Sequence, residues 1–135
     1  MNPVVHFEMP YEDKSRIADF YTHAFGWKAN ILGPEFGDYV VMHTSEIDEK
    51  TKFPTEPGRI NGGFFKKTKD IQHPSVVIAV DDIYEAMKNI EAAGGTVLGG
   101  QKPGEPDDIS GVGLYIGFMD TEGNRASIIQ PSPMM

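Results

Sequence analysis

The sequence predicts an α+β fold in which one β-α-β-β-β unit occurs twice within a single domain of 135 residues. Three observations predict it. The order of elements recurs at an offset of 69 residues, which places His6 over Ser75 and Gly26 over Gly95; self-similarity on this scale marks paired supersecondary units. Each copy holds one stretch of helical apolar period that ends in glycine. The remaining apolar runs are short and alternating, as half-buried strands are. The first module then covers about residues 1–68 and the second about 69–135. Paired copies commonly leave a cleft between them, and ligand sites concentrate in such places.

Residues 4–10 alternate and open the first module as a strand. Residues 13–25 follow as a helix, with Ile17, Phe20, Tyr21, Ala24 and Phe25 in one apolar stripe, Asp19 and His23 on the other face, and Gly26 as the stop. Strands are predicted over 27–32, 39–44 and 59–66, with 46–58, polar and proline-containing, as a mobile loop. Residues 66–73 form a short basic link. In the second module 76–80 is a strand and 82–93 a helix that starts on Asp82, with Glu85 three residues on. Its stripe is Ile83, Ala86, Met87, Ile90 and Ala93, and Gly94 and Gly95 end it. Strands over 96–101, 113–120 and 124–130 complete the copy, the last two joined by a turn on Gly123. Residues 102–113 read as a second long loop, and long loops in compact domains often serve as lids or binding loops.

Composition narrows the function. The chain is 39% hydrophobic and 24% charged, an ordinary globular balance. A net charge of −8 argues against nucleic acid, whose phosphates need a basic surface. It favours a cationic small molecule or simply solubility. No apolar run reaches the roughly 20 residues that span a bilayer, and the N-terminus has no signal-peptide pattern, so no membrane association and a cytoplasmic location are expected. With no cysteine, disulfides and thiolate chemistry are excluded.

The chemistry-bearing residues start on the first strand. Alternation sends His6 and Glu8 to one face and Phe7 and Met9 to the other. A carboxylate beside an imidazole can orient it and raise its basicity, so His6 assisted by Glu8 is the candidate general base. Trp27, Tyr39, Phe64 and Tyr115 either line an aromatic cleft or belong to the core. Gly62 and Gly63 within a strand suggest a bulge or a close backbone approach. The glycine pairs lack phosphate-loop spacing, and Ser75, Ser110 and Ser127 lack a nucleophile-elbow context. Arg125 either meets an anionic ligand or pairs with an acidic neighbour. His23 and His43 are expected at the surface.

The segments HFEMPYEDKSRIADFYTHAFGW, GRINGGFF, VDDIYEAMKNIEAAGGTV and FMDTEGNRASIIQ together resemble the vicinal oxygen chelate superfamily of glyoxalase I, bleomycin-resistance proteins and extradiol dioxygenases. The resemblance spans nearly the whole chain and is closest to small bacterial proteins related to lactoylglutathione lyase. It implies curved sheets enclosing a cleft and, in metal-dependent members, a divalent ion on four inward strand positions. Those positions fall on His6, on Asn61 or Gly62, on Ser75 and on Ser127. One imidazole with an amide and two hydroxyls is a poor set for zinc or a transition metal. The resemblance therefore implies a protein that binds a small organic molecule in the cleft without the usual metal and without another cofactor, with Asn61, Ser75, Tyr115 and Ser127 as ligand contacts. A divalent metal held through His6 and His73, with Glu8, is the alternative cofactor reading; it would make the chain a metal-dependent lyase, isomerase or dioxygenase. A drug-sequestering binding protein is the third reading. A homodimer is compatible with the chain length.

Overall fold

A computed structural model describes residues 1–109 and 111–132; Ser110, singled out above, lies outside them. The chain forms two compact units, His6–Pro74 and, with residues 1–5, the part from Ser75 onward. They are the first and second modules below.

In the first module, β1 (Val4–Tyr11, of which Val4 and Val5 belong to the other unit), α1 (Lys14–Phe25), β2 (Lys28–Ile31), β3 (Val40–His43) and β4 (Asn61–Lys66) follow in chain order. The strand order is β2-β3-β4-β1. β1 and β4 run parallel, joined by α1 and the β2–β3 hairpin, and β3 is antiparallel to both neighbours. Asp13 caps α1 by accepting the Arg16 amide at 3.0 Å, and Gly26, at φ 73°, ends it. The core gathers Tyr11, Ala18, Val40, Met42 and Phe64, with Phe7, Met9, Ile17, Tyr21 and Trp27 packed against it.

The helical stripe is narrower than its apolar pattern. Ala18 is the buried helix residue, while Phe20 and Phe25 stay 57% and 64% exposed. The side that meets the sheet is centred on Ile17, Ala18 and Tyr21. The two phenylalanines fall on its flanks and lean on the Tyr21 ring, at centroid distances of 5.0 and 5.9 Å. The polar segment 46–58 is more ordered than a plain loop. Asp48 accepts the Lys50 and Thr51 amides, and Ile47 bridges Pro54.

In the second module, β5 (Ser75–Ala79), α2 (Ile83–Ala92), β6 (Thr96–Val97), β7 (Asp107–Ile109), β8 (Gly113–Met119) and β9 (Arg125–Pro131) give the order β5-β9-β8-β6, with β7 also on β8. The Pro3 carbonyl accepts the Ala79 amide, which ties the N-terminus to this unit. Asp82 caps α2 through the Tyr84 and Glu85 amides. Val80, Ile83, Ile116 and Ile128 form the core. The strand expected over 96–101 stops at Val97, because Gly99 turns to φ 132° and Pro103 follows. Within the predicted loop 102–113, Asp107-Asp108-Ile109 pairs with β8; two aspartates before an isoleucine carry no strand pattern, and only the open edge of β8 recruits them. Among the described residues no helix is long and apolar enough to cross a membrane.

Candidate functional site

Register fixes which side chains share a face. In the first module His6 pairs with Asn61, and Glu8 with Gly63, which in turn faces Val41. Phe7 and Met9 pair with Gly62 and Phe64 on the core side. The position left open between Asn61 and Gly62 is thereby Asn61. The polar face of β1, β3 and β4 carries His6, Glu8, Asn61 and His43, with Tyr39 entering from the residue before β3.

Two neighbouring glycines make room for an aromatic ring on each face of β4, and Gly63 is the one that admits Tyr39. A methyl at Gly63 would overlap the Tyr39 ring, and one at Gly62 would overlap the Phe7 ring on the opposite side. The pairing of β4 with β1 and β3 runs through both glycines in unbroken register, so they serve close aromatic approach rather than a bulge. The segment before Tyr39 is held from beneath: the Tyr11 hydroxyl donates to the Asp38 carbonyl, and Lys14 pairs with the Asp38 carboxylate at 3.0 Å. So placed, the Tyr39 hydroxyl donates to Glu8 Oε2 at 3.0 Å.

Glu8 is 8% exposed and His6 half-buried. No hydrogen bond joins His6 to another described residue, so the expectation that Glu8 orients the imidazole is corrected. Residues two apart on a strand project side by side, and the carboxylate turns to Tyr39 instead. Burial holds the His6 pKa below its ordinary value, and positive charge on His43 lowers it further. The imidazole is neutral at neutral pH, a proton and hydrogen-bond acceptor. His43, expected at the surface, is therefore part of this face; being last in its strand gave no hint of it. His23 is exposed and bonds the Asp19 carbonyl, and His73 is exposed.

Asn61 is 6% exposed and does structural duty with one end of its amide. Its Oδ1 accepts the Thr44 amide at 2.7 Å, the Ser45 amide at 3.0 Å and the Thr44 hydroxyl at 3.3 Å. Its Nδ2 is buried with no partner among the described residues. Beyond His43, a depression of about 290 Å³ is lined by Lys28, Thr44, Ser45, Ile47 and Arg59 among others. Lys28 and Arg59 pair there with exposed Glu46 and Glu56.

The second module presents a different face. Ser127 pairs with Val77 and with Gly117, and Arg125 with Met119. Ser127 is 2% exposed, and its Oγ lies 2.7 Å from the Tyr115 hydroxyl. Ser75 begins β5, half-buried. Of the four aromatics considered for a cleft, Trp27 and Phe64 belong to the core, and Tyr39 and Tyr115 do not.

The residues do not fit the family's metal. Among the described residues no group of three or more His, Asp or Glu side chains is gathered as a metal site, so His6, His73 and Glu8 do not assemble. Asn61 spends its oxygen on backbone amides, and serine hydroxyls are weak ligands for such ions.

A family model described as Glyoxalase/Bleomycin resistance protein/Dioxygenase superfamily matches residues 4–128. Among curated proteins, the chain is 29% identical over 131 residues to the anthracycline biosynthesis protein DnrV of Streptomyces peucetius and 28% to DauV of Streptomyces sp. strain C5. The match takes in 87% of this chain and 42% of either relative, so the chain spans less than half of their length. Among solved structures, a variant methylmalonyl-CoA epimerase of Streptomyces coelicolor in complex with 2-nitronate-propionyl-CoA aligns with a TM-score of 0.69 at 11% identity, over 99% of this chain and 97% of that one. The epimerase of Mycobacterium tuberculosis gives 0.64 at 11% identity over 96% and 88%. A hypothetical protein of Bacillus halodurans C-125 gives 0.68 at 11% identity over 99% and 97%. At such identities the structures share the fold alone, while the match of the family model over residues 4–128 makes the chain a member of the Glyoxalase/Bleomycin resistance protein/Dioxygenase superfamily, the vicinal oxygen chelate group.

Proposed function

We propose that this chain binds a small organic carbonyl compound against the polar face of β1, β3 and β4, without the metal typical of its family, and that His6 accepts a proton or hydrogen bond from it. The single observation that carries this is the His6 imidazole. It is half-buried, neutral, without a hydrogen-bond partner among the described residues, and beside a Glu8–Tyr39 pair. A general base works best when it is unprotonated at the operating pH and within reach of the proton it takes. The buried Asn61 Nδ2 supplies a donor that a ligand oxygen would satisfy. In a proton abstraction the C–H pair would pass into the enolate and the proton to the imidazole.

The other two readings have less support. The donor set disfavours a metal-dependent lyase or dioxygenase. Sequestration of a cationic drug leans on the net charge of −8. The chain from Ser75 onward holds nine acidic residues against three basic ones, yet its acids lie along exposed α2 positions, in turns and at the β7 edge.

The relatives suggest probes. Methylmalonyl-CoA and a 1,3-dicarbonyl aromatic polyketide would be incubated with the protein in D₂O and followed by NMR, alongside thermal shifts, for wild type, His6→Ala and Glu8→Gln. We expect binding of at least one compound that weakens or loses α-proton exchange in His6→Ala. Equal behaviour of wild type and His6→Ala would remove His6 from the site.

A further inference from the structure

The geometry points to Arg125 as an anion anchor on the second module, taking a carboxylate or phosphate group of a small-molecule ligand. The sequence left Arg125 two roles, ion pair or ligand contact. Among the described residues it makes neither an ion pair nor a hydrogen bond. This is notable because acids outnumber bases nine to three from Ser75 onward. Of the two acids nearest in sequence, Glu122 accepts the Thr121 hydroxyl at 3.2 Å, and Asp120 is occupied by the Glu122 and Asn124 amides and the Asn124 side chain. Asp107, which the register brings to the same face as Tyr115, accepts the Gln101 amide at 2.8 Å. A half-buried arginine is thus left without a counter-ion where counter-ions are plentiful.

Its position is also prepared. The guanidinium lies against Gly117 on the neighbouring strand, where a Cβ would sit 2.8 Å from Nη2. The missing side chain lets the arginine fold back across β8 beside Ser127 instead of extending into solvent. Arginine's planar fork matches a carboxylate or phosphate with two parallel hydrogen bonds, and desolvation strengthens such pairs. Local charge therefore overrides the overall acidity: the chain repels anions at long range and holds one at Arg125. This inference stands on the second module alone and does not depend on His6.

The test uses the intact chain, with sodium malonate and inorganic phosphate as separate probes and sodium chloride at matched ionic strength as control. Thermal shift and the arginine Nε–H resonances would be followed up to roughly 50 mM, where even a millimolar site is nearly saturated. We expect a saturable response to at least one anion, confined to one arginine resonance, and the stronger probe tells carboxylate from phosphate. Arg125→Gln should abolish it, Arg125→Lys weaken it about tenfold by losing the fork, and Lys88→Gln on α2 leave it unchanged. No saturable response, a response equalled by chloride, or one that survives in Arg125→Gln would overturn the assignment. Should Arg125→Gln fail to fold, an unweakened response in Arg125→Lys does the same.

Discussion

The two modules share a scaffold and differ on the face that the scaffold leaves free. Each buries one side of its sheet under a helix, through Val40, Met42 and Phe64 in the first and Ile116 and Ile128 in the second. On the opposite side the first module places His6, Glu8, Tyr39, His43 and Asn61, a proton-handling set. The second places Val77, Gly117, Ser127 and Arg125 at comparable positions. Packing fixes one face of a strand and leaves the other free to diverge. The comparison teaches that chemistry in this chain is asymmetric although its fold is repeated.

Glycines show the contrast most directly, and here the largest effect is expected. Gly63 and Gly117 each make room on the polar face, one for the Tyr39 ring and one for the tip of Arg125. A ring cannot bend away, whereas the end of an arginine can. Gly63→Ala should therefore destabilise the protein by about 1–3 kcal/mol, the range for overpacking. Gly117→Ala should cost less than about 0.5 kcal/mol. Urea unfolding of the two variants checks this, and equal costs would mean that the modules use their glycines alike.

A middle effect is expected at Asn61. Asn61→Ala removes the acceptor for the Thr44 and Ser45 amides and leaves them to water, costing about 0.5–1.5 kcal/mol. Asn61→Asp keeps the acceptor and should recover part of that loss. Chemical denaturation of both variants, with amide hydrogen exchange at Thr44 and Ser45, separates loss of the cap from a general loosening.

Much of this was legible in the sequence. The two helices, the cap at Asp82 and the stop at Gly26 were visible because capping chemistry is local, while the cap on Asp13 was read only as the first helical residue. The co-facing of His6 and Glu8 followed from strand period alone. What stayed hidden depended on contacts between distant segments. That Tyr39 rather than His6 takes Glu8 depends on Gly63 and on the Tyr11–Asp38 tie. That His43 joins the face depends on the β3–β4 register, and that Arg125 lacks an acidic partner depends on where Asp107 and Asp120 turn. The strand at Asp107 was illegible because an edge supplies what the residues themselves do not.

The smallest effect is a histidine-linked pH dependence, which falls to the first module because all four histidines lie there. Burial and His43 hold the folded-state pKa of His6 below its ordinary value of about 6.5. Between the folded and unfolded values the unfolded chain binds more protons, so stability rises with pH across that window. This contribution is complete above about pH 6.5 and is lost on acidification through the window, with a slope of at most about 1.4 kcal/mol per pH unit for one proton. His6→Gln should flatten the slope without changing the cores, and His43→Gln should shift the His6 titration upward by removing the lesser cause. Imidazole C–H resonances followed from about pH 4 to 8 would read the titration, and unfolding at the same pH values would read the slope. A slope that persists in His6→Gln would place the proton linkage on another group, and burial on the polar face would then not be what sets it.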